Sequence, residues 1–464
     1  MSELLSPRTI RLYVRLHPDS VERALLAASA LSGIALAATI LAHTVDWLPA
    51  PIRWQISLAA ENSAATWFRS ILLFAIALVS LICAQLELQI IARRAPIVEV
   101  RIGRARSKLI AWAGSACLFT GLSLNAMGSL HERIGGLLVQ VHVLPSVELG
   151  GIWLGIFVLP ILGMAALILF FAWRDLRDTR GVILLMTIGI ALYLTLPLQG
   201  NSELASSLVF RYANSANRPA WPIVLKEGTE LLGSLCCLAA GLRYAEIRSR
   251  ALRRLDGKVR IDVDWRFVAG AITTLGLVLV VLDLLESKLI GVTTGRGVPQ
   301  NWFPAIAALV CALFASHLAA SERNRIGSPV GSWQALRLLV IVNLTLSLGY
   351  GANYPVRQLL EYRPIIQAAW MIALGATVLF TGMFAARITD STSAGFGLLI
   401  WSAVYLLRPI TEFESWSVLS TLGQLGLMFG LQRLLRDRVR RMMLVRAREE
   451  AVETSRAASC RGVA

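Results

Sequence analysis

The chain has 464 residues, of which 56% are hydrophobic and only 16% charged, where a soluble protein carries about a quarter. That balance excludes an ordinary soluble globular protein. The net charge of +16 is not that of a nucleic-acid binder, because the arginines sit in short clusters between apolar runs and form no separate basic domain. The lipid bilayer is the expected partner and nucleic acid is not.

The apolar runs approach or exceed the roughly 20 residues that cross a hydrocarbon core of about 30 Å. In lipid the backbone must bond to itself, so such runs are helices or closed barrels. A barrel strand would alternate apolar and polar residues over about ten positions, and no such alternation is present. The fold class expected is an all-α integral membrane protein.

In chain order, residues 1–23 form a cytoplasmic N-terminal segment with Arg8, Arg11 and Arg15 ahead of the first apolar run. That run has no convincing small-residue cleavage site, so it reads as an uncleaved signal-anchor. A first transmembrane half follows over 24–242, with spans near 24–45, 65–91, 109–130, 150–173, 181–199 and 222–242. A basic cytoplasmic linker is expected at 243–266. The second half, 267–433, has spans near 267–290, 303–320, 336–353, 364–386, 396–411 and 416–433. A basic cytoplasmic tail, 434–464, closes the chain.

About twelve spans put both termini on one side. The segments expected inside hold 34 of the 45 lysines and arginines, so both termini are expected in the cytoplasm of a bacterial inner (plasma) membrane. Thr66-Trp67-Phe68, Leu122-Ser123-Leu124 and Ala191-Leu192-Tyr193-Leu194 recur in order as Asn301-Trp302-Phe303, Leu346-Ser347-Leu348 and Ala403-Val404-Tyr405-Leu406. The offset falls from 235 to 224 to 212, as shorter loops in the second half would give. Two six-helix halves in tandem are the expectation, as in transporters built from parallel repeats. Trp67, Trp153, Trp221, Trp302 and Trp416 fall at outer helix ends, where an aromatic belt would place them.

Of the six cysteines, Cys83, Cys117, Cys236, Cys237 and Cys311 lie in apolar runs and Cys460 in the tail. None has zinc-ligand spacing with histidines, and no disulfide framework is visible. No nucleotide-binding loop, nucleophile elbow or metalloprotease motif occurs.

Ionisable groups within a bilayer are costly and mark function by default. Asn125, Ser129 and Glu132 stand at i, i+4, i+7 at the outer end of the third span, with His131 beside them. Glu227, Glu230 and Ser234 stand at i, i+3, i+7 near the start of the sixth. Each set shares a helix face, and the two helix ends lie on the same side. The expected substrate- or proton-binding site is therefore Asn125, His131, Glu132, Glu227 and Glu230. His131, Glu132, Glu227 and Glu230 are also the residue types that hold a divalent cation. The bland reading of the same residues is solvated interfacial acids with a Lys226–Glu230 ion pair at i, i+4.

Residues 60–250 resemble a family of uncharacterised bacterial six-span inner-membrane proteins. The resemblance lies in Glu61-Asn62 with Thr66-Trp67-Phe68, in Leu124-Asn125 through Ser129-Leu130-His131-Glu132, and in Glu227-Gly228 through Glu230-Leu231-Leu232-Gly233. It departs from the family's pattern at Asn125-Ala126, where the family has an Asp-Glu pair, and at Lys226, where it has an acid. It implies a six-span topology and no activity, cofactor or substrate. A transporter-like protein acting on a small molecule or ion is the leading expectation. An intramembrane enzyme acting on a lipid or lipid-linked substrate, and a non-catalytic membrane subunit or sensor, are the alternatives.

Overall fold

The computed structural model describes residues 9–13, 18–59 apart from 46 and 49, 63–94, 99–128, 159–175, 179–195, 220–256, 260–264 and 299–323, with short helical pieces within 337–347 and 423–431. The expected spans at 267–290, 364–386 and 396–411 lie outside the described residues. The described elements are β1 (Thr9–Tyr13), α1 (Pro18–Thr44), α2 (Ala50–Ile56), α3 (Ala64–Arg94), α4 (Glu99–Gly128), α5 (Leu159–Asp175), α6 (Arg180–Leu194), α7 (Ala220–Asp256), β2 (Arg260–Asp264) and α8 (Pro299–Arg323).

The architecture is helical. Three described stretches, Pro18–Thr44, Ala64–Ile91 and Ser107–Ala126, are long and apolar enough to cross a membrane. Shorter apolar helices occur at Ile161–Arg174, Arg180–Leu194 and Pro304–Leu313. Helix α1 leaves Leu26, Leu31, Ile34 and Leu41 exposed. Such a stripe is unfavourable against water and neutral against hydrocarbon. The apolar helices are thus suited to membrane association.

The chain divides into two units, the first holding 1–302 with 351–359 and the second 303–350 with 360–464. In the first unit, α3 packs against α4 and α7, α4 against α5, and α7 against α6 and α1. Side-chain contacts fix the directions. Val79 lies against Gly241, and Cys83 Sγ donates to the Gly241 carbonyl at 3.3 Å. With Arg69 beside Glu230 and Glu87 beside Arg248, residue numbers on the two helices rise together, so α3 and α7 are parallel. Helix α6 meets α7 at Gly189–Cys237 and again at Tyr193–Gly233, hence antiparallel. Helix α1 meets α7 through Glu22–Arg243 and Leu36–Gly228, also antiparallel.

The helix starts have identifiable causes. Ser63 Oγ accepts from the Thr66 backbone N–H at 2.9 Å, an N-cap that fixes where α3 begins. Pro222 sits in the first turn of α7, where its missing N–H costs nothing. Gly189 and Gly233 let α6 and α7 approach closely. A Cβ on Gly189 would lie 2.5 Å from Cys237 Sγ and 2.8 Å from the Gly233 carbonyl oxygen. Between α3 and α4, Ser70 and Ser123 each donate to the other's backbone carbonyl at 2.8 Å. Trp302, in the same unit, donates its indole N–H to Ser123 Oγ at 3.1 Å. Trp67 and Trp302 are both buried, so these two pack in the bundle instead of joining an exposed aromatic belt.

Two elements were not legible in the sequence. Strand β1, in the N-terminal segment, pairs antiparallel with β2, Thr9 opposite Asp264 and Tyr13 opposite Arg260. Residues 243–256 of the expected linker continue α7 as helix, and 260–264 form β2. In the second unit, Leu339, Leu346, Leu427 and Leu431 are buried, and Cys311 Sγ donates to the Gln424 carbonyl at 3.9 Å.

Candidate functional site

Arg69 is the sixth residue of α3, one and a half turns past the Ser63 cap. Its guanidinium reaches across to the parallel helix α7. Nη1 donates to Glu227 Oε2 at 2.7 Å and to Glu230 Oε2 at 3.1 Å. Glu227 is 2% exposed, and Arg69 and Glu230 are each 13% exposed. One guanidinium is thus shared by two carboxylates that are three residues apart on one helix face, the spacing at which helical neighbours align. Arg69 Nε is itself buried and has no hydrogen-bond partner.

The polar cluster continues along α7 towards its C-terminal end. Ser234 Oγ donates to the Glu230 backbone carbonyl at 2.9 Å and is hydrogen-bonded to the Tyr193 hydroxyl of α6. Phe119 of α4 meets the Tyr193 ring edge-on, centroids 6.2 Å apart. Helices α3, α4, α6 and α7 therefore all contribute to the surroundings of the acids.

Of the five expected site residues, Glu227 and Glu230 come together on α7. Asn125 is half-buried near the end of α4. His131 and Glu132 lie outside the described residues. The bland reading fails at two points. Glu227 is buried, not a solvated interfacial acid. Lys226, half exposed, approaches Glu227 Oε1 at 3.9 Å, and no Lys226–Glu230 pair carries the cluster. Among the described residues no group of three or more histidine, cysteine or acidic side chains is arranged to hold a metal ion.

A second cluster escaped the sequence reading. Glu87 of α3, 1% exposed, accepts from the Tyr244 hydroxyl at 2.6 Å and from Arg248 Nε at 2.8 Å on the same oxygen. Arg248 also donates to the Tyr244 oxygen at 3.0 Å and lies over its ring, 5.1 Å from the centroid. Trp112 of α4 packs against Tyr244 as well, ring centroids 4.9 Å apart. Just beyond, Glu246 pairs with Arg243 at 3.3 Å and with Arg250, and Arg243 reaches Glu22 of α1 at 3.4 Å. The signal available in the sequence was charge within apolar helix: Arg69 and Glu87 both interrupt the run 65–91, and each needs a partner there.

No protein-family model, curated protein or solved structure matches the chain.

Proposed function

We propose that the protein is a transporter-like polytopic protein of the bacterial inner membrane, with both termini cytoplasmic. It has about twelve spans in two tandem six-helix halves. Its polar site lies in the outer half of the membrane and is built on Glu227, Glu230 and Arg69, with Asn125 near the end of α4 and with His131 and Glu132 as its further expected members. The substrate class is a small cation or small polar solute, and Glu230 is the group that answers to a proton or cation.

The observation that carries this reading is the sharing of Arg69. With both acids ionised, Arg69 is the one buried cation between two carboxylates, and the second cation near them, Lys226 at 3.9 Å from Glu227, is half exposed. A buried ion pair of this kind contributes little net stability against an apolar alternative, so its presence asks for another reason. A proton on Glu230, or a cation between the acids, competes with the guanidinium and changes how α3 is held to α7. A ligand shifts such an equilibrium only through differential contacts in the two states, and the shared guanidinium supplies them. The tandem reading draws support from helix position, since Trp67 and Trp302 are each the fourth residue of their helices.

The test uses the full chain in proteoliposomes loaded with a pH-sensitive dye and challenged with a panel of cations and polar solutes under a pH gradient. Wild-type protein should move protons with one class of solute, and Glu230→Gln should abolish the coupling while the bundle stays folded. Coupling that survives Glu230→Gln unchanged removes Glu230 from the role.

A further inference from the structure

The two charged clusters stand on the same pair of helices in the same register. Arg69 to Glu230 and Glu87 to Arg248 both span an offset of 161 residues, and both helices are parallel. The clusters are separated by 18 residues on each helix, about 27 Å at 1.5 Å per residue. That is close to the thickness of the hydrocarbon core, about 30 Å. Ownership of charge is exchanged between the two: α3 supplies the arginine at one end and the acid at the other. Between them the α3–α7 contact is made by small or apolar groups, Val79 against Gly241 and Cys83 against the Gly241 carbonyl. Both clusters are closed in this structure, with Arg69–Glu227 at 2.7 Å and Arg248–Glu87 at 2.8 Å.

We propose that Glu87, Tyr244 and Arg248 form an inner gate, paired with Arg69, Glu227 and Glu230 as the outer gate of one path between α3 and α7. The inference rests on the transporter-like reading above. Ion pairs suit gates because each can be exchanged for water once its helix ends part, and the small contact at Gly241 between them separates with the helices. The aromatic groups sharpen the inner gate: Tyr244 packs against both Trp112 and Arg248 and gives Glu87 a second donor. With both gates shut, water reaches neither side of Cys83, which is fully buried one turn from Glu87.

Cys83 is therefore a native reporter. The other five cysteines are replaced by serine or alanine in the full chain, and right-side-out and inside-out membrane vesicles are treated with a membrane-impermeant maleimide. In the otherwise unaltered chain Cys83 should be unreactive from both sides. Arg248→Ala and the milder Glu87→Gln should each speed labelling about tenfold or more from the inner side only, because labelling follows the open fraction. Arg69→Ala should speed labelling from the outer side only, and Arg248→Lys should restore protection. Unchanged labelling in the folded Glu87→Gln variant overturns the proposal, and so does equal labelling from both sides in any single variant. The readout needs no substrate. Sided labelling without any coupled proton movement removes the transport reading and leaves the gates. Transport with unchanged labelling does the reverse.

Discussion

At the scale of the residue, Arg69 decides what the acids of α7 can do. Glu227 and Glu230 were legible as a pair because i, i+3 spacing puts them on one helix face. Arg69 was not, because a single charge near the start of a long apolar run does not alter the reading of that run as a span. Its partner lies 158 residues away along the chain, and no local pattern points across such a distance. The two acids are not equivalent. Glu227 is 2% exposed and Glu230 is 13% exposed, with the shorter bond going to Glu227. Glu227→Ala leaves Arg69 without its nearer counter-charge in a dry setting, where breaking a buried pair costs about 3–5 kcal/mol. Glu230→Ala should cost visibly less, since water reaches more of it. Thermal unfolding of the detergent-solubilised variants checks the order. Equal losses, or a larger loss at Glu230, contradict the assignment of depth.

At the scale of the element, hydropathy located the described helices well and their ends less well. Helices α1, α3 and α4 match the expected spans because an unbroken apolar run is a strong signal. Helix α7 runs on to Asp256 because its last turns are held by side-chain pairs such as Glu246 with Arg243 and Arg250, and a charge-rich stretch looks like a linker when read alone. The ribbon of β1 and β2 was invisible for the same reason that Arg69 was: its two strands are far apart in sequence. The α6–α7 crossing depends on Gly189, whose hydrogen occupies space that a side chain would need from the Gly233 backbone. Gly189→Leu should therefore destabilise the protein, by about 1–3 kcal/mol or more for an overpacked interface. Gly121→Ala, which meets nothing within 4 Å, should be neutral or slightly stabilising through helix propensity. The two melting temperatures, measured side by side, separate close packing from a general intolerance of side chains at glycine.

At the scale of the whole molecule, the first unit is a helix bundle whose two parallel members, α3 and α7, are tied near both ends by charge and in the middle by small-residue contact. The sequence carried the membrane class and the positions of the acids, since both follow from local composition. It did not carry the pairing of α3 with α7, because charge complementarity becomes visible only when the helices are set side by side. The claim on which the rest depends is that Arg69 and Glu227 interact directly inside this bundle. A double-mutant cycle tests it most directly, using Arg69→Ala, Glu227→Gln and the combined variant, with stability read from thermal unfolding of the full chain in detergent. The ion pair predicts strong coupling, about 1–3 kcal/mol, with the double variant clearly more stable than the sum of the single losses. Additive losses would mean that the two side chains do not meet.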